Sequence, residues 1–106
     1  DPQAYVDLAG AVNASSVQAV SIEDAHRHND LSLLELFTDT HVILGVVAVA
    51  KSRVETVDEV ESRLRAALAH IDQDRLLAAP DCGLGLLGRD LARAKMAVLA
   101  AAAARM

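Results

Sequence analysis

Three side chains with chemical capacity stand at matching places in this chain. Glu23 ends the stretch Val17-Gln18-Ala19-Val20-Ser21-Ile22, Lys51 follows the β-branched run of residues 41–49, and Cys82 follows residues 75–80. Each lies just past a segment that reads as a strand. If those strands are parallel neighbours, the three residues share the rim at their carboxyl ends, where α/β proteins gather reactive groups. A glutamate and a cysteine on one rim are two of the donors that Zn²⁺ favours. Spacing alone leaves Cys82 with two readings, a metal thiolate or the small buried filler that an isolated cysteine usually is. A nucleophilic role is weaker, because no histidine is placed beside it by the sequence.

Other groups crowd the same rim. His26 and His28 follow Glu23 and read either as ligands or anion-binding groups, or as solvated loop residues. Lys51 and Arg53 are cations suited to a carboxylate or sulfonate, or are simply exposed loop positions. Gly83, Gly85 and Gly88 lack the spacing and following lysine of a phosphate-binding loop and read as turn residues around Cys82. His41 and His70 read as a strand start and a helix end, the latter suited to the negative end of a helix dipole.

The elements that must position these groups alternate. Ala4, Tyr5, Leu8, Ala9 and Val12 predict a helix over residues 1–14, with Pro2 in its first turn. A strand over 17–22 follows, then a short helix capped by Asp30 and ending near Asp39. Residues 42–49 form a continuous apolar run, the pattern of a strand buried on both faces of a parallel sheet. Thr56-Val57-Asp58-Glu59 is a capping box, and Val57, Val60, Leu64, Ala67, Leu68 and Ile71 line one stripe of the helix it opens. A third strand over 75–80 precedes a closing helix through Leu91, Ala94, Lys95, Val98 and the alanine run to Ala104.

The resulting order, α–β–α–β–α–β–α, implies a parallel sheet with right-handed crossovers. Three such strands alone would leave open edges and an uncovered face. The economical reading is a set of consecutive units of a larger (β/α)₈ barrel, with residues 1–106 a segment of it.

Composition narrows the partners. The chain has 106 residues, a net charge of −5 and 2% aromatic residues. Without clustered basic residues, nucleic acid is not expected as a partner. No apolar stretch is long enough for a membrane span, so no membrane partner is expected either. A single cysteine precludes an internal disulfide and suits the cytoplasm.

Several stretches together resemble a known family. Pro80-Asp81-Cys82-Gly83-Leu84 resembles the C-terminal motif of the cobalamin-independent methionine synthases and their shorter relatives. Ser21-Ile22-Glu23 resembles the strand whose glutamate binds zinc in that family. Leu44-Gly45-Val46-Val47 and Val54-Glu55-Thr56-Val57-Asp58-Glu59-Val60 resemble the penultimate barrel strand and its helix. Arg75-Leu76 and Ala92-Arg93-Ala94-Lys95-Met96 continue the likeness, which covers nearly the whole chain.

The resemblance implies Zn²⁺ held by Glu23 and Cys82, with Asp81 acting through the groups around the metal. It implies methyl or alkyl transfer to a thiol, of the kind that joins a 5-methyltetrahydrofolate-type donor to a homocysteine-type acceptor. His26, Arg27, Lys51 and Asp81 are then the expected substrate-binding residues. The small-molecule thiol and alkyl donor are the expected partners, along with the N-terminal part of the barrel or a second copy of the chain.

Two departures stand out. Ala48-Val49-Ala50-Lys51-Ser52 has neither the aspartate nor the catalytic histidine of the family's Asp-x-His-Ser-Pro segment, which favours a shorter relative resembling the epoxyalkane:coenzyme M transferases. The family's His-x-Cys ligand pair is also absent, as a C-terminal segment would require. The competing readings are a non-catalytic α/β fragment with an incomplete metal site, and a zinc-free decarboxylase-type barrel. The pairing of Glu23 with Cys82 argues against the latter.

Overall fold

The computed structural model describes residues 2–26 and 28–106. Helix α1 spans Pro2–Asn13, and strand β1, Ala19–Glu23, follows. A 3-10 turn over Leu31–Leu36 leads to β2, His41–Val47, and then to α2, Val57–Leu68. A short 3-10 turn, Gln73–Arg75, precedes β3, Leu76–Pro80, and α3, Arg89–Ala104, closes the chain. All three strands are parallel, in the order β1-β2-β3. This is the expected α/β architecture of consecutive units.

Period-two alternation divides the sheet into two faces. Val20, Val42 and Leu76 stand in register, as do Ile22, Leu44 and Ala78. These residues and Val46 pack against Ala9, Val12, Val60, Leu64, Ala67, Leu99 and Ala102 from the helices. Fully burying a Leu or Val side chain here contributes roughly 1.5–3 kcal/mol. The opposite face carries Ser21, Glu23, Ile43, Gly45, Leu77 and Ala79. Helices do not cover it, and Leu77 is 46% exposed. The expectation that β2 is buried on both faces therefore holds only in part: Ile43 is half-buried. That face is where a closed barrel would have its interior.

Local chemistry sets the element ends. The Asp30 carboxylate accepts from the Ser32 N–H at 3.0 Å and opens the 3-10 turn. Thr56 caps α2 by accepting from the Glu59 N–H at 3.1 Å. The Glu59 carboxylate turns mainly to Arg53, which draws its pKa below the usual range. Strand β2 ends at Val47, short of Val49, because the register with β3 slips between Gly45 and Val47. The next N–H, on Ala48, is taken by the Glu55 carboxylate at 2.7 Å.

Candidate metal and substrate site at the strand ends

The site is organised by Asp81, the first residue past β3. Its side chain is fully buried. Oδ1 accepts from the N–H groups of Asp24 at 3.2 Å and Ala25 at 3.0 Å, and Oδ2 accepts from the His26 N–H at 2.9 Å. His26 Nδ1 also lies 2.7 Å from Oδ2. A buried carboxylate survives in a protein when its lone pairs are filled in this way. Asp81 thereby ties the end of β3 to the turn after β1, across the whole width of β2.

Gly45 makes that crossing possible. A Cβ at this position would lie 2.2 Å from Asp81 Oδ1 and 2.8 Å from its Cα. The carbonyl of Gly45 also accepts from Asp24 at 3.1 Å and Ala25 at 3.0 Å. The two amides that follow β1 are therefore shared between β2 and β3. A glycine is required at Gly45 by close approach of a neighbouring backbone, a use glycine has within strands.

His26 extends the link to the loop after β2. Its Nε2 accepts from the Ala50 N–H at 3.1 Å, while Nδ1 faces Asp81. This network assigns the neutral tautomer with the proton on Nδ1. Asp24, also buried, accepts from the Asn29 N–H at 2.7 Å, and Asn29 Nδ2 donates to the Glu23 carbonyl at 2.7 Å. The turn between them places His28 at a φ of 46°, in the left-handed region that histidine tolerates better than most residues.

A second buried cluster holds the loop after β2 from below. Lys95 on α3 has no exposed surface, and its Nζ donates to the Arg53 carbonyl at 2.7 Å and to Glu55 Oε1 at 3.1 Å. Arg63 Nη1 donates to the Val46 carbonyl at 2.8 Å and lies 3.8 Å from Glu55 Oε2. Burial alone would raise the Glu55 pKa, but the Ala48 N–H, the residue's own backbone and Lys95 together hold it below the usual glutamate range. The loop is thus fixed by main-chain contacts at Ala48, Ala50 and Arg53.

The residues expected to do chemistry take different places in this frame. Ligand atoms of Glu23, His26 and Asp81 lie within 4.8 Å of one another. Asp81 and His26 are committed to the network above. Glu23 faces the uncovered side of the sheet in register with Gly45 and is exposed. Cys82 is a free thiol and is exposed in this segment, so it is not packed as a filler among the described residues. It is not one of the three clustered residues. Among the described residues, no hydrogen bond or ion pair engages the Glu23 carboxylate or the Cys82 thiol.

An oxygen and a sulfur donor, both uncommitted and at the carboxyl ends of strands, fit the ligand chemistry of Zn²⁺; they are two of the usual four. Lys51 is exposed beyond the same strand end, and Arg27 lies outside the described residues.

Sequence reasoning passed over Gly45, Glu55 and Lys95 as site-building residues. A lysine on the apolar stripe of α3 was the one available signal for the Lys95 cluster. His70, expected to serve the end of α2, instead has Nδ1 2.5 Å from Glu35 Oε2.

The chain is similar to known proteins in sequence and fold. The family described as cobalamin-independent synthase, catalytic domain, matches residues 3–105. The chain is 37% identical over 93 residues to a methionine synthase of Thermococcus kodakarensis, a match covering 87% of this chain and 28% of that protein. It is 37% identical over 107 residues to a 5-methyltetrahydropteroyltriglutamate–homocysteine methyltransferase of Nitratidesulfovibrio vulgaris, covering 96% of this chain and 13% of that protein. The solved structure of a B12-independent methionine synthase from Shewanella sp. W3-18-1, in complex with selenomethionine, matches with a TM-score of 0.90 at 32% identity. That match covers 95% of this chain and 30% of the other, so the chain spans less than a third of these relatives. The parallel βα units are a partial TIM barrel, and the chain belongs to the cobalamin-independent synthase catalytic-domain family.

Proposed function

We propose that residues 1–106 form the C-terminal βα units of a barrel that transfers a methyl group to a thiol with the help of Zn²⁺. The relatives' names supply the substrate class, a methyltetrahydropteroyl-type donor and a homocysteine-type acceptor. The observation that carries the reading is the pair of uncommitted donors, Glu23 and Cys82, set beside a clamp that immobilises both strand ends. The remainder of the barrel supplies the other ligands, and a reducing cytoplasm keeps the Cys82 thiol free.

When bound, the metal supplies Lewis acidity that lowers the pKa of a substrate thiol, so that the nucleophile is available near neutral pH. The chain's own residues provide the setting. Glu23 offers a carboxylate oxygen and Cys82 a sulfur. Asp81 holds the three amides after β1, which keeps Glu23 on the open face, and it fixes the His26 ring. His26 in turn holds the Ala50 N–H, so Lys51 projects from a loop of defined position. Its ammonium is suited to an anionic group on the acceptor or donor, with Arg27 beside His26 in sequence as a further cation.

Alkylation of another small thiol is the alternative, favoured by one feature. Segment 48–52 carries no acidic or imidazole side chain, and its Ala48 and Ala50 N–H groups are already taken by Glu55 and His26. The test is a methyl-transfer assay on the full-length protein with homocysteine and with other small thiols. Methionine formation supports the main reading, turnover only with another thiol favours the alternative, and no transfer to any thiol removes both.

A further inference from the structure

Beside the Asp81 clamp lies a cavity of about 50 Å³ that the clamp itself does not use. Its walls come from four segments: the turn after β1 gives His28, the end of β2 gives Ala48 and Lys51, the following loop gives Arg53 and Glu55, and α2 gives Arg63. Four of these side chains are basic or can become so, and one is acidic. The acid is already matched, since Lys95 Nζ lies 3.1 Å from Glu55 and the Ala48 N–H donates to it. Arg53 is shared with Glu59, and Arg63 donates to the Val46 carbonyl. Lys51 has no ion-pair partner among the described residues, and His28 is exposed next to it.

We infer that this cavity is a pocket for one small oxyanion, a substrate carboxylate. Volume sets the class of ligand. One water needs roughly 10–15 Å³ of such space, so the cavity admits a group of a few heavy atoms, the size of a carboxylate. Charge sets the sign, because the one acid is neutralised by Lys95 while Lys51 is left to pair with whatever enters. The loop is pre-positioned by Glu55, Lys95 and His26, so binding does not have to order it. Both substrates of the named relatives carry carboxylates, on the amino-acid acceptor and on the glutamyl tail of the donor. That the ligand is a substrate rests on the methyl-transfer reading; the pocket itself does not.

The experiment uses the full-length protein and needs neither zinc nor turnover. Acetate and inorganic phosphate are titrated while the Lys51 side-chain resonance is followed by NMR. Equilibrium binding of homocysteine and of a triglutamyl peptide is then measured for wild type, Lys51→Gln and Lys51→Arg. Both probe anions should shift the Lys51 signal. Lys51→Gln should weaken one of the two ligands about tenfold, and Lys51→Arg should restore most of it. Which ligand responds identifies the substrate that the pocket holds. An unmoved Lys51 signal with both anions, or affinities for both ligands unchanged by Lys51→Gln, overturns the inference. Because none of these readouts measures methyl transfer or zinc, failure of that reading stays separate.

Discussion

The Asp81 carboxylate lies 2.7 Å from Nδ1 of His26, although the two residues follow strands that are separated by β2. The contact passes over Gly45, the one position of β2 without a side chain. Strand ends that would otherwise be joined only by sheet hydrogen bonds are welded by a single buried group. Glu23 and Cys82, the proposed metal ligands, are chain neighbours of this weld.

Gly45→Ala should therefore be costly although it adds only a methyl group. The new Cβ meets both the carboxylate and the backbone of Asp81, and neither is a flexible chain end. Overpacking of this kind costs ~1–3 kcal/mol, with loss of the Asp81 hydrogen bonds in addition. Urea unfolding should show a lower midpoint with little change in slope.

Asp81→Asn separates charge and hydrogen bonding from shape. The amide oxygen can still accept from Asp24 and Ala25, but its NH₂ would face the His26 N–H and Nδ1–H. A donor set against donors leaves buried groups unsatisfied, at a cost of ~1–3 kcal/mol. The His26 ring should also lose its fixed tautomer, which nitrogen NMR of the imidazole reads directly. An unchanged tautomer would show that Asp81 does not orient the ring.

The Lys95–Glu55 pair predicts an acid-sensitive term in stability. The folded-state pKa of Glu55 is depressed, so its contribution is present above the ordinary value of 4.5 and is lost as pH falls through the lower folded value. Lys95→Met removes one partner of a buried pair and should destabilise by ~3–5 kcal/mol at neutral pH. The gap between wild type and Lys95→Met should narrow in acid. A gap constant from pH 7 down to pH 3, measured by chemical denaturation, would count against the pair.

Much of the scaffold was legible before any coordinates. The β-branched run at residues 41–49 read as a strand, which the structure forms over His41–Val47, and Thr56 announced the start of α2 by type and spacing. The Asp81 network was not legible, because it depends on residues 55 to 57 positions apart meeting over a strand whose register slips at that point. Lys95 shows the same limit. Its place on an apolar stripe was visible, but Glu55 became its partner only when α3 packed against the loop after β2. Glu23, read as the residue just past a strand over 17–22, is the last residue of β1, while the exposure of Cys82 needed the turn after β3.

Zinc content of the full-length protein, measured by mass spectrometry alongside methyl-transfer rates, tests the central claim most directly. Wild type should carry about one Zn²⁺ per chain, as a structurally defined mononuclear site does. Cys82→Ser should lose most of it together with nearly all turnover, since a neutral hydroxyl replaces a thiolate poorly. The Cys82 side chain is exposed, so the fold should survive and urea unfolding should stay close to wild type. Full zinc occupancy and normal turnover in Cys82→Ser would contradict the account.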